Sequence, residues 1–219
     1  MQITPTKLIL SAALFFVFFD NIAFFQHVLD VFPLTLKNAG FLVSLGVGLT
    51  AVITLLLTLI STRFTLKPAI IFFLLVSSAA AYFMDSYNVV IDHVMIQNII
   101  QTNATEALDL FTPKFLGYIL VLGFLPSALV LLAPVQQETL RQVILRKIRN
   151  IVVSILLVLT LVLCFSKFYS SFFREHKPLR YYTNPTYYIY SVGKYYNKNF
   201  RNKNETLRVI GTDAIIKEG

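Results

Sequence analysis

From Gly40 to Ile60 the chain carries no ionisable side chain. A bilayer's hydrocarbon core is about 30 Å thick, so an α-helix crosses it with about 20 mostly apolar residues. Four more stretches have the same character: Leu8 to about Phe25, Pro68 to Phe83, Phe115 to Ala133 and Ile151 to Phe168. Five segments of this kind leave helices as the natural solution, because in lipid every backbone polar group must find its partner inside its own segment. The third segment holds Ser77-Ser78-Ala79-Ala80-Ala81, and small residues let helices approach closely where no water drives them together. The first is read as a span and not as a cleaved leader. It has no small-x-small cleavage pattern, and its polar pair Asp20-Asn21 is followed by more aromatics.

Composition agrees. Hydrophobic residues are 56% of the chain and charged residues 14%, against about 25% in soluble domains, which excludes a water-soluble globule and a disordered chain alike. A single cysteine, Cys164, excludes an intrachain disulfide framework and a multi-cysteine zinc site. The net charge of +8 in such a setting points to anionic lipid headgroups. Lys7, Arg63, Lys67, Arg141, Arg146, Lys147 and Arg149 fall on the side that holds the N-terminus, against only Lys37 and Lys114 in the opposite loops. Short-loop charge therefore puts the N-terminus in the cytoplasm. The ten Lys/Arg from Lys167 onward pull the other way, but long flanking regions translocate largely regardless of charge.

Two polar regions are too long to be turns. In the first, Asp85 to Lys114, Ile91, Met95 and Ile99 recur every four residues, as in a helix lying on the membrane surface. Asn98, Thr102 and Glu106 share the same spacing, and an amide, a hydroxyl and a carboxylate in a row suit an ammonium- or hydroxyl-bearing headgroup. Asn103-x-x-Glu106 equally fits a capping box opening a second helix through Leu110, which would break the row at Asn103. Both readings stay open on the residues alone.

The second region, from Tyr169 to Gly219, holds eight of the eleven tyrosines, interleaved with cations in Arg180-Tyr181-Tyr182, Tyr187-Tyr188, Tyr190 and Lys194-Tyr195-Tyr196. Such a mixture favours the membrane–water boundary, and Arg180, Tyr181 and Tyr182 are its candidate lipid contacts. The same mixture also binds single-stranded nucleic acid, but its place beside a span favours lipid, and no nucleic-acid partner is expected. After Phe200 the chain turns polar, like a linker.

A nucleophile, a base or metal and an oxyanion stabiliser are nowhere grouped, so no catalytic and no metal-binding residue is assigned in this chain. His27, His93 and His176 are scattered without metal-ligand spacing. Asp20 is read as marking an exit into headgroups. With no other carboxylate or imidazole in the spans, a proton-coupled transporter is disfavoured.

Three phrases resemble one family. Ser86-Tyr87-Asn88-Val89-Val90-Ile91-Asp92 with Met95-Ile96-Gln97-Asn98, Gln101-Thr102 and Glu106-Ala107 is the first. The second is Ser171-Phe172-Phe173-Arg174-Glu175-His176-Lys177-Pro178-Leu179-Arg180-Tyr181, continued by Asn184-Pro185 and Ile189-Tyr190-Ser191-Val192-Gly193-Lys194. The third is Gly123-Phe124-Leu125-Pro126-Ser127. Together they resemble the lipid A phosphoethanolamine transferases, which include the mobile colistin-resistance enzymes.

The resemblance implies five inner-membrane helices, a cytoplasmic N-terminus and a periplasmic zinc-dependent catalytic domain. There a threonine would carry phosphoethanolamine from phosphatidylethanolamine to a lipid A phosphate. It also implies that Asn98, Thr102 and Glu106 face that domain and help bind the donor lipid. Asn204-Glu205-Thr206-Leu207-Arg208 looks superficially like the family's nucleophile motif, but no apolar strand precedes it and no Asp-His cluster follows. Thr206 is therefore read as fortuitous, and 208–214 as the linker ahead of the catalytic domain.

The expected protein is an all-α membrane protein with five transmembrane helices and periplasmic interfacial amphipathic helices. Its transmembrane domain is 1–168, with a periplasmic loop at 85–114. A tyrosine-rich interfacial segment and linker follow at 169–219, and the catalytic domain lies outside this chain. It would sit multi-pass in a bacterial inner membrane with its C-terminus periplasmic. It would hold no cofactor of its own, zinc belonging to the catalytic domain. Its partners would be phosphatidylethanolamine and other phospholipids, the lipid A acceptor and that domain. It would confer polymyxin resistance and be inactive alone. A small transporter or channel, or a purely structural anchor, is the alternative function.

Overall fold

The computed structural model describes residues 2–103, 105–106 and 110–201. The expected linker, Thr206 and the inner part of the helix expected from Asn103 to Leu110 lie outside them. Four helices are each long and apolar enough to cross a bilayer: α3 (Leu36–Ile60), α4 (Leu66–Tyr87), α6 (Pro113–Leu132) and α7 (Leu140–Cys164). The fifth candidate span is a bent helix pair. Helices α1 (Pro5–Phe19) and α2 (Ile22–Val31) meet at 57° across Asp20 and Asn21.

The single first span expected from Leu8 to Phe25 is therefore corrected. Asn21 turns its side-chain amide back onto the Phe16 carbonyl at 2.9 Å, sharing it with the Asp20 amide at 3.0 Å and closing the last turn of α1. Asp20 and Asn21 are 2% and 1% exposed, so the pair marks an interior hinge and not an exit into headgroups.

Local signals set the other boundaries. Thr4 caps α1 ahead of Pro5, and Thr112 caps α6 ahead of Pro113, proline being tolerated at a first helical position. Helix α4 stops at Asn88, whose φ of 54° is left-handed, a conformation asparagine visits more readily than most residues. A Thr139–Gln142 capping box starts α7 well before its apolar run. Of its first half, Val143, Arg146 and Asn150 face inward, while Ile148, Val152 and Val153 lie open on the lipid side.

Helix α6 widens into a π-helical stretch at Ile119–Phe124, just before Pro126. There Gly123 lies against α4 so closely that a methyl group on it would sit 2.8 Å from Ser78 Oγ. The small-residue run on α4 thus serves the close helix approach expected of it.

After α7, the chain folds back over one end of the bundle through α8 (Ser166–Arg174), a 3₁₀ turn (Lys177–Tyr182) and α9 (Thr186–Tyr196). Helix α5 (His93–Gln101), capped by Asp92 through the Val94 and Met95 amides, lies at the same end and packs on α9.

Candidate lipid-binding site

The tyrosine-rich segment contributes to the bundle interior as well as to its surface. Tyr169, Phe172, Leu179, Asn184, Tyr188 and Ser191 are all buried. Burial of tyrosine in this setting needs a partner for each hydroxyl. Tyr169 finds Ser44 and Tyr188 finds Ser77, each at 3.2 Å. Asn184 reaches the α1–α2 hinge, donating through Nδ2 to the Ser77 carbonyl at 2.9 Å and to the Asp20 carbonyl at 3.2 Å.

Asp85 completes the hinge from α4. Its carboxylate accepts from the Ala23 amide at 3.1 Å, capping α2, and from the Tyr118 hydroxyl at 3.2 Å. These bonds tie α4 to α2 and α6, while the Tyr188–Ser77 bond ties α9 to α4.

Between α4, α5 and α9 runs a groove of about 590 Å³, lined by Phe73, Val76, Ala79, Phe83, Ile96, Ile99, Ile189 and Val192 among others. All the side chains named are apolar, and the volume lies in the range of small-ligand sites. A helix forms over the expected Met95 and Ile99 but begins after Ile91, which is buried; Ile96 and Ile99 face the groove, and Met95 packs on the core.

The three expected headgroup residues occupy the outer side of this region, but not as one helical row. Helix α5 ends at Gln101, and Thr102 takes an extended backbone with its hydroxyl donating to the Asn98 carbonyl at 2.8 Å. Asn103 Oδ1 accepts from the Glu106 amide at 3.0 Å, and Asn103 Nδ2 donates to Glu106 Oε1 at 3.0 Å. The local capping interaction is thus present, made by the asparagine side chain where a full capping box would use the backbone amide. Asn98 and Glu106 are exposed and Thr102 is half-buried.

Arg180, Tyr181 and Tyr182 divide. The Tyr181 ring stacks on Tyr187 at 4.8 Å, with the Arg180 guanidinium 5.6 Å from its centre. These three share a cup of about 380 Å³ with Tyr190 and Lys194. Tyr182 turns inward instead, its ring 4.3 Å from His27 and its hydroxyl donating to the Asn88 carbonyl at 3.4 Å. Burial lifts the Tyr182 and Tyr187 hydroxyls above the ordinary phenol range, so both act as neutral hydrogen-bonding groups. His27 Nε2 lies 2.7 Å from Asn88 Oδ1, and the His176 ring packs edge-on against Phe32. Among the described residues, no group of three His, Cys, Asp or Glu is placed to hold a metal ion.

Sequence reasoning missed the hinge cluster of Asn21, Ser77, Asp85, Asn184 and Tyr188. Its one visible signal was a polar pair inside an apolar run, which is costly in lipid unless partnered.

Comparison with known proteins agrees with this architecture. The family profile described as phosphoethanolamine transferase EptA/EptB matches residues 49–200. Phosphatidylethanolamine transferase Mcr-1 of Escherichia coli is 40% identical over 194 residues, which are 88% of this chain and 36% of that protein. Phosphoethanolamine transferase EptA of Escherichia coli K12 is 38% identical over 210 residues, 94% of this chain and 38% of the relative. The solved structure of the lipooligosaccharide phosphoethanolamine transferase EptA from Neisseria meningitidis superposes with a TM-score of 0.84 at 27% identity, over 90% of this chain and 37% of that one. The chain spans little more than a third of these relatives. With matching sequence and matching helices, the chain belongs to the lipid A phosphoethanolamine transferase family, as its N-terminal membrane domain.

Proposed function

We propose that this chain holds the donor phosphatidylethanolamine for transfer of its phosphoethanolamine group to lipid A, in an enzyme that confers colistin resistance. The observation that carries this reading is the apolar groove between α4, α5 and α9, bordered on its outer side by the polar end of α5. One acyl chain of a phospholipid fills such a groove, and its headgroup then reaches Asn98, Thr102 and Glu106. A carboxylate has lone pairs beyond the one that Asn103 occupies, and an ammonium group provides the charge-assisted partner for them. Arg180 and Tyr181 hold a neighbouring phosphodiester at the rim.

The division of labour follows from the medium. Phosphoryl transfer is largely a matter of positioning and charge stabilisation, and a lipid headgroup has to be held in line at the membrane surface for it. By the family resemblance, the reaction itself belongs to a zinc-dependent domain on the C-terminal side of this chain. The protein sits in a bacterial inner membrane with its N-terminus in the cytoplasm, and α5 and α9 face the periplasm.

The test is lipid retention. The purified chain should retain phosphatidylethanolamine by native mass spectrometry, and Ala79→Trp, which fills the groove, should abolish that retention. The full-length enzyme bearing the same change should lose lipid A modification in cells at normal expression. Undiminished retention together with undiminished modification would remove the groove from the donor path.

A further inference from the structure

The opposite end of α4 is built on different chemistry. There the first residues lie along the α6–α7 connection, the Ile3 amide donating to the Pro134 carbonyl at 2.8 Å and the Gln136 amide to the Ile3 carbonyl at 3.0 Å. Lys7, Arg63, Lys67, Arg146, Lys147 and Arg149 gather around this seam, with Arg141 in the first turn of α7, and Glu138 is the one carboxylate in the sequence stretches that form it. Glu138 is taken by Arg146, whose Nε donates to it at 2.8 Å and which is 5% exposed.

Four of the remaining six cations engage neutral oxygens. Arg63 donates to Gln137 Oε1 at 2.9 Å, Lys67 to the Leu131 carbonyl at 2.8 Å, Lys147 to the Leu59 carbonyl at 3.0 Å and Arg149 to the Thr6 hydroxyl at 3.0 Å. Among the described residues none of these four has an acidic partner. Such bonds hold the charges in position without neutralising them.

Two clefts flank the Glu138–Arg146 pair. One, of about 500 Å³, carries Arg63 and Lys67. The other, of about 580 Å³, carries Lys7 and Arg149. Gln136, Gln137, Glu138 and Arg146 line both, so the two share a wall. Beside the first cleft Phe64 and Leu131 are 81% and 61% exposed, an apolar border directly next to the cations.

We propose that these paired clefts are a binding site for an anionic phospholipid, with a phosphodiester against Arg63 and Lys67 in one and a phosphodiester against Lys7 and Arg149 in the other. Cations fixed between transmembrane helices with an apolar border are the arrangement that captures acidic lipid headgroups. A two-phosphate headgroup of the diphosphatidylglycerol type occupies both clefts, and a one-phosphate lipid such as phosphatidylglycerol occupies one. The uncompensated positive charge repels the ammonium of a zwitterionic lipid. The site therefore selects against the donor proposed at the far end of α4, and it does not depend on that assignment.

The experiment uses the chain in nanodiscs of phosphatidylethanolamine containing a small fraction of cardiolipin or of phosphatidylglycerol, with retained lipids counted by native mass spectrometry. With the groove at the far end filled by Ala79→Trp, the chain should retain cardiolipin above phosphatidylglycerol, and both above phosphatidylethanolamine, with retention falling as salt rises. Arg63→Gln with Lys67→Gln should weaken cardiolipin retention about ten-fold or more, as should Lys7→Gln with Arg149→Gln. The corresponding lysine-for-arginine changes, which keep the charge and the fold, should leave it near wild type. Lys37→Gln with Lys114→Gln, at the other end of the bundle, should have no effect. Equal retention of all three lipids by the Ala79→Trp chain would overturn the proposal, as would equal losses from changes at both ends. Competition by inorganic phosphate as effective as that by cardiolipin would overturn the lipid assignment and leave a phosphate site.

Discussion

Asn21 and Asn184 form a reciprocal pair: the Asn21 amide donates to the Asn184 carbonyl at 2.6 Å, and the Asn184 N–H donates to Asn21 Oδ1 at 2.8 Å. A side chain here pairs with a backbone much as a neighbouring strand would. Both residues are essentially buried, at 1% and 0% exposure, so neither has water to fall back on.

Asn21→Ala strands the Asn184 amide, and Asn184→Ala removes the donations to Ser77 and Asp20. Each should cost about 1–2 kcal/mol of stability, and the double change should cost less than the sum. Thermal unfolding in detergent measures the cycle. Strict additivity would show that the two act independently.

Gly123→Ala should destabilise by about 1–3 kcal/mol, because its methyl group meets Ser78 Oγ at 2.8 Å and Leu75 Cδ2 at 3.2 Å. Adding Ser78→Ala removes the nearest atom and leaves Ser78 Cβ at an ordinary 3.5 Å, so the pair should recover most of the loss. No recovery would mean that the π-helical stretch, and not the helix approach, needs the glycine.

Glu106→Ala in the full-length enzyme should lower lipid A modification well beyond any loss of expression, by about ten-fold if one charge-assisted bond to the donor is lost. Asn98→Ala should act in the same sense. Asn103→Ala removes the cap at 3.0 Å and should chiefly lower the melting temperature. Parallel falls in activity and expression for Glu106→Ala would assign that residue to capping alone.

Tyr182→Ala should loosen the 3₁₀ turn by removing the ring packed on His27 at 4.3 Å, while Tyr181→Ala should leave the turn in place and weaken lipid contact. Deuterium uptake over residues 177–187 in nanodiscs separates them. Equal protection in both variants would contradict the inward placement of Tyr182.

The spans were legible because uncharged runs of about twenty residues have few other solutions. Pro68 to Phe83 and Phe115 to Ala133 lie within a few residues of α4 and α6. The hinge at Asn21 was not legible, because its partner is 163 residues away and a polar pair near a span end also suits headgroups. Helix α7 begins at Leu140 and not near Ile151, since Arg146 and Asn150 find partners in Glu138 and Thr58, and charge alone reads as loop. Of the groove residues on α5, Ile99 followed from the spacing of Ile91, Met95 and Ile99, while Ile96 did not. The neighbours that close the groove, Ile189 and Val192, belong to a segment whose tyrosines pointed to the surface.

The bent first span also bears on how the protein is made. As the polypeptide leaves the ribosome, the kink enters the bilayer with the Asn21 amide lacking its distant mate, which is made 163 residues later. The hinge therefore cannot close until Asn184 has been made, and a nascent product cut short after α8 would present a bare hydrogen-bonding surface to lipid.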